Sequence, residues 1–186
     1  IPRGAVPMAQ VIAHQLGGDL DVVLVRKLRA PFAPEVAVGA IDEQGHTSLL
    51  PNVELMGADN AYLQEEKALQ LHTLQHRRRQ YDAVHQHLRI QGRIVIVVDD
   101  GLATGATMTA ALKSIRQQQP SRLVCAVPVA SAAALATIRP WADELVCLSV
   151  PEDFEGVGQF YRDFQQVEDE DVLACLRSAA GPQTVH

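Results

Sequence analysis

Aromatic side chains make up only 4% of this 186-residue chain, with a single tryptophan. Flat stacking surfaces are therefore scarce, and any cluster of them stands out. Positive charge is also short. Sixteen Lys and Arg against twenty-two Asp and Glu leave a formal charge of −6, which disfavours general binding to a nucleic-acid backbone. The one basic run, Arg77-Arg78-Arg79, lies in a helical pattern and reads as a solvated helix face. Only three cysteines occur, Cys125, Cys147 and Cys175. Their number and spacing argue against a disulfide framework and a structural zinc site. Cys125 and Cys147 lie in apolar, strand-like runs, where cysteine is a small hydrophobe. No apolar run approaches the ~18 residues of a membrane span, and no signal-peptide pattern is present, so a cytoplasmic protein is expected. What remains is ample apolar material, 47% of residues, enough for one domain over residues 1–186. The chain begins Ile1-Pro2-Arg3-Gly4, with no Met and no preceding strand or helix. It reads as a chain whose first segment is absent.

Patterning predicts alternating elements. A buried strand is expected over 22–26, a β-hairpin from 36–41 and 46–50 around Glu43-Gln44-Gly45, and a helix over 59–88 carried by Leu63, Ala68, Leu71 and Leu74. Strands follow at 93–98, 122–128 and 144–149, with helices at 107–118, 131–139 and 168–179. The tail Gly181-Pro182-Gln183 is expected to fray. Such alternation implies βαβ units and a parallel sheet flanked by helices. Ligands of such sheets bind at the carboxyl ends of the strands.

One stretch carries the chemistry: IVIVVDDGLATGATM, residues 94–108. Asp99 and Asp100 close an apolar strand. The loop Leu102-Ala103-Thr104-Gly105-Ala106-Thr107 then leads into a helix. Small residues let a ligand approach the backbone, and the free amides of a helix start favour an anion. No lysine stands where a triphosphate-binding loop would need one, so a phosphomonoester fits better. Two acids beside a phosphate nest make sense when they face sugar hydroxyls or a hard cation such as Mg²⁺. A ribose 5-phosphate meets both conditions.

This stretch closely resembles the phosphoribosyl pyrophosphate (PRPP) binding motif of the type I phosphoribosyltransferases. PRGA at 2–5, followed by the helical VPMAQVIAHQLG, resembles that family's pyrophosphate loop, with Ala5 in place of its second small residue. The segments DVVLVRKLRAPFAPEVAVGAIDE (21–43) and PEDFEGVGQFYRDFQQVEDEDV (151–172) resemble a bacterial branch of predicted phosphoribosyltransferases. The resemblance spans essentially the whole chain, though the family's first helix and most of its first strand are absent.

The resemblance implies an α/β type I phosphoribosyltransferase fold: a parallel sheet flanked by helices, a β-hairpin or flexible loop, and a small C-terminal hood. It implies transfer of a 5-phosphoribosyl group from PRPP to a nitrogen acceptor, such as a nucleobase, with release of pyrophosphate. Mg²⁺ is the implied cofactor and a homodimer the implied assembly. Asp99 and Asp100 are the expected catalytic acids, with Mg²⁺ carried on PRPP and within the reach of those acids. Ala103, Thr104, Gly105, Ala106 and Thr107 are expected to bind the 5-phosphate; Arg3, Gly4, Arg26 and Lys27 the pyrophosphate. Residues 28–35 are expected as a mobile cover that excludes water. Residues 151–166 are the candidate hood, with Phe154, Phe160 and Tyr161 facing the acceptor and Arg162 and Asp163 beside them. His72 and His76 form an i, i+4 pair without an evident third metal ligand. A PRPP-sensing regulator of the same fold, or a generic phosphate-binding α/β domain, competes with the enzyme reading.

Overall fold

The computed structural model describes residues 1–179, so the expected frayed tail lies outside the described residues. Helix α1 (Val6–Leu16) carries a proline in its first turn and ends at Gly17, whose φ of 63° suits glycine. The chain then runs extended to β1 (Val25–Ala30), which turns at Pro31-Phe32 into β2 (Ala33–Asp42) and on to β3 (Thr47–Leu49). These three strands form one antiparallel sheet. Helix α2 (Asn60–Asp82) starts where the Asp59 carboxylate accepts the Tyr62 N–H at 2.8 Å.

The second half is the expected βαβ winding. Strands β4 (Ile94–Val98), β5 (Arg122–Val129) and β6 (Glu144–Ser149) make a parallel sheet in that order. Helix α3 (Ala106–Gln117) connects β4 to β5, and α4 (Ala132–Ile138) connects β5 to β6. The last helix, α5 (Asp169–Ala179), returns to pack on α1.

Two apolar cores result. One gathers Val6, Leu28, Val38, Ile41, Leu74, Tyr81 and Leu176 beneath the hairpin, α1, α2 and α5. The other gathers Met108, Leu112, Leu123, Cys125 and Ile138 between the parallel sheet, α3 and α4. Burying each large side chain contributes about 1.5–3 kcal/mol.

Several expectations need correction. The strand expected over 22–26 begins only at Val25, and it pairs antiparallel with β2. Leu20, Val22 and Leu24 are buried in strand-like alternation. Among the described residues no neighbouring strand completes a ladder there, and apolar alternation alone does not make a sheet. Residues 28–35 are the end of β1, the Pro31-Phe32 turn and the start of β2, so the expected cover is the tip of a hairpin. Helix α2 stops at Asp82, and its buried stripe runs Leu63, Glu66, Gln70, Leu74, Tyr81. Ala68 is exposed. The stripe accommodates polar residues because Gln70 donates to Glu66 Oε1, which also accepts the Arg29 N–H.

Candidate functional site

The carboxyl end of β4 places the two acids. Asp99 and Asp100 follow Val98 directly, and the Asp100 N–H donates to Asp99 Oδ1 at 3.1 Å. Burial pushes the Asp99 carboxyl up to about 6; the nearby Ile1 ammonium opposes the shift and the Asp100 charge adds to it. Burial also raises Asp100, against the same ammonium. Among the described residues neither carboxylate pairs with a lysine or arginine. Two desolvated acids with spare lone pairs suit hydroxyl donors or a hard cation.

The candidate phosphate nest follows. Ala103 and Thr104 are exposed, and α3 begins at Ala106 after Gly105 in the left-handed region, at φ 75°. The amides of Ala106 and Thr107 fall in the first turn, where they have no helical acceptor. The nest is fixed from behind: Ser131 Oγ donates to the Ala103 carbonyl at 2.8 Å, and the Ser131 N–H to the Leu102 carbonyl at 2.9 Å. Glycine at 105 answers to α4 as well as to a ligand. A Cβ there would meet Ile138 Cγ2 at 3.0 Å and the Ala134 carbonyl at 3.2 Å.

The N-terminal loop reaches the same acids. A Cβ on Gly4 would run into Asp100 Oδ2, so only glycine lets this loop lie against the acid pair. The adjacent Pro2–Arg3 peptide is cis. Arg3 does not point into an open site: its Nη1 lies 2.9 Å from Glu168 Oε2 and 4.0 Å from Asp169 Oδ2, at the start of α5.

The candidate hood folds over the acids from the other side. Tyr161 Oη donates to the Asp100 carbonyl at 2.6 Å, and a Cβ on Gly101 would meet Val157 at 2.6 Å. Burial, then Asp100 and Asp99, push the Tyr161 phenol up, so it remains a donor. Phe154 and Phe160 stack on each other with centroids 5.6 Å apart and planes 25° apart. Tyr161 tilts against Phe164 at 5.0 Å. Phe160 is 37% exposed.

Arg26 and Lys27 lie near the start of β1 in the antiparallel sheet, not at the end of a strand shared with the acids. They line a cavity of about 370 Å³ together with Arg29, Glu35 and Arg77. Sequence reasoning missed the last of these. Arg77-Arg78-Arg79 is not a solvated face, because successive helix residues turn by about 100°. Arg77 lines the cavity, while Arg78 is half-buried against Glu43 and the Val22 carbonyl. The rotation itself was the available signal. Another, largely apolar cavity of about 220 Å³ runs between residues 18–23 and the free edge of β4, and contains none of the predicted site residues. His72 and His76 are exposed on α2. Among the described residues no three His, Cys, Asp or Glu side chains gather as a metal site, and no helix is long and apolar enough to cross a membrane.

This geometry agrees with what similarity shows. The family model for the phosphoribosyl transferase domain matches residues 1–165. Two curated proteins of Mycobacterium tuberculosis, from strains CDC 1551 / Oshkosh and ATCC 25618 / H37Rv, carry the name "Putative phosphoribosyl transferase". Each is 41% identical over 181 residues, covering 96% of this chain and 41% of its own length. The chain thus spans about two fifths of those relatives. The crystal structure of the protein TT1426 from Thermus thermophilus superimposes with a TM-score of 0.82 at 49% identity, covering 97% of this chain and 86% of that one.

Proposed function

The chain belongs to the phosphoribosyl transferase domain family, and from that premise we propose that it transfers the 5-phosphoribosyl group of PRPP to a nitrogen acceptor, with a nucleobase as the fitting class. One observation carries this reading. The glycine of the N-terminal loop abuts the Asp100 carboxylate, and the phosphate nest begins within the same strand-to-helix turn. Gly4 and Asp100, far apart along the chain, thereby bring a pyrophosphate loop, a ribose-facing acid pair and a 5-phosphate nest into one continuous site.

Ala103 through Thr107 hold the 5-phosphate by backbone amides and threonine hydroxyls, aided by the dipole of α3. Asp99 and Asp100 accept the ribose 2′- and 3′-hydroxyls. As the C1′–O bond breaks, its electron pair leaves with pyrophosphate and the ribose ring becomes cationic. The acid pair stabilises that charge, and the Gly4 amide stabilises the departing anion, joined by Arg3 when it exchanges its Glu168 partner for the pyrophosphate. The acceptor nitrogen then closes a C1′–N bond and releases its proton to solvent. No covalent nucleophile is needed; positioning and charge complementarity supply the acceleration. Mg²⁺ fits the two-carboxylate donor set, because it keeps water ligands and takes the rest from substrate oxygens. When bound, it would neutralise pyrophosphate charge. The acceptor reads the hood, where Phe160 offers an exposed ring beside Tyr161.

Calorimetric titration with Mg-PRPP against ribose 5-phosphate tests the site, followed by pyrophosphate release with a panel of nucleobases. Tighter binding of Mg-PRPP with acceptor-dependent release is expected. Equal binding of the two ligands would reduce the protein to a general phosphate binder. PRPP binding without release by any acceptor would make it a sensor.

A further inference from the structure

We propose that Arg77 of α2 and Arg29 of β1 complete an anion cradle with Arg26 and Lys27, and that this cradle holds the outer phosphate of the pyrophosphate group. The proposal rests on the PRPP reading above and extends it to a helix outside the matched motif. Four cations and one carboxylate, Glu35, line the 370 Å³ cavity between the hairpin and α2, in a chain of net charge −6. Strand alternation alone would put Arg26 and Arg29 on opposite faces. The ladder is irregular between Leu28 and Ala30, with the extra residues on β2, and both arginines line the cavity.

Among the described residues the side chains of Arg26, Lys27 and Arg29 form no salt bridge, and Arg77 has only Asp169, at 3.6 Å. Glu66, the nearby buried acid, is engaged by the Arg29 N–H and Gln70. The cluster is therefore self-repelling, and a multiply charged anion relieves it. Asp169 also lies 4.0 Å from Arg3. Asp169 thus stands between Arg77 and Arg3, the neighbour of the Gly4 that abuts Asp100. Guanidinium forks bind phosphate oxygens in pairs, which suits this end of the substrate.

The test is titration of the intact protein with inorganic pyrophosphate, PRPP and ribose 5-phosphate. Arg77→Gln and Arg29→Gln should each weaken pyrophosphate and PRPP by about 10- to 100-fold, leaving ribose 5-phosphate affinity unchanged. Arg77→Lys should recover part of the loss. Asp169→Asn removes the ion pair while keeping the Arg77 charge, and should not weaken pyrophosphate. The cradle is overturned if both glutamine variants bind pyrophosphate like the parent, if Asp169→Asn loses as much as Arg77→Gln, or if the folded parent binds no pyrophosphate. Arg29 is exposed, so its variant still tests the idea should Arg77→Gln unfold. Arginine-dependent pyrophosphate binding without PRPP binding would uphold the cradle and overturn the transferase reading. PRPP binding indifferent to both arginines would do the reverse.

Discussion

Asp99 is ionised at neutral pH against the preference of its surroundings. Its unfolded value is 3.8 and its folded value about 6, so the native state binds the proton more tightly. Stability from this group is full below about 4 and is lost as pH rises through about 6, a change of roughly 3 kcal/mol. Asp99→Asn should therefore raise the melting temperature at pH 7, change it little at pH 4, and abolish PRPP turnover. Parallel melts at the two pH values check the first part, and a pyrophosphate-release assay the second. Gly4→Ala makes the opposite trade. Its methyl group displaces the Asp100 carboxylate, so PRPP affinity should fall at least tenfold while the melting temperature moves little, as titration and a melt would show. Cys125 is buried and its thiol is pushed up to about 12, chiefly by burial. Alkylation of the native protein at pH 8 should label it last of the three cysteines, by peptide mapping. The strand end that carries the two acids and the turn into α3 were legible in sequence, because an apolar run, two carboxylates and a small-residue stretch leave few alternatives. Arg77 was not, since a run of three arginines hides which of them faces inward.

Among the elements, the hood was legible for a compositional reason: in a chain this poor in aromatics, three within eight residues mark a packed segment. Its attachment was not, because a hydroxyl reaching the Asp100 carbonyl leaves no trace in spacing. Tyr161→Phe removes that 2.6 Å bond and should cost about 1 kcal/mol in chemical denaturation. It should also raise KM for the acceptor more than for PRPP, as steady-state kinetics would show. The parallel strands and their helices were readable to within a residue or two, because hydrophobic runs fix them locally. The two prolines of the expected cover fall at the tip of the hairpin. Pro31 occupies the turn, and Pro34 lies in β2 between Ala33 and Ala37, where the ladder is interrupted.

For the whole molecule, a charged seam ties together the elements around the first core. Arg78, 13% exposed, pairs with Glu43 and lies 3.7 Å from Asp21; it also donates to the Val22 carbonyl at 2.7 Å. This ties α2, the hairpin and the extended run after α1 together. Replacing Arg78 with Met strands the Glu43 carboxylate, while Asp21 keeps His87 and two backbone N–H donors, and should destabilise the fold by about 3 kcal/mol, measurable by urea denaturation. Sequence could not show the seam, because its members come from positions 21, 43 and 78, and only folding brings them together.

The same separation governs when the site comes into being. The Arg3 side chain meets Glu168 and Asp169, and α1 lies against α5. A chain still emerging from the ribosome carries its candidate anion-binding loop early and the helix that holds Arg3 much later. Closing a loop of that length is among the slower contacts to form. A nascent chain lacking α5 would thus own the acids and the phosphate nest but not an ordered Arg3. Binding competence would appear only once α5 has been made, as one late event.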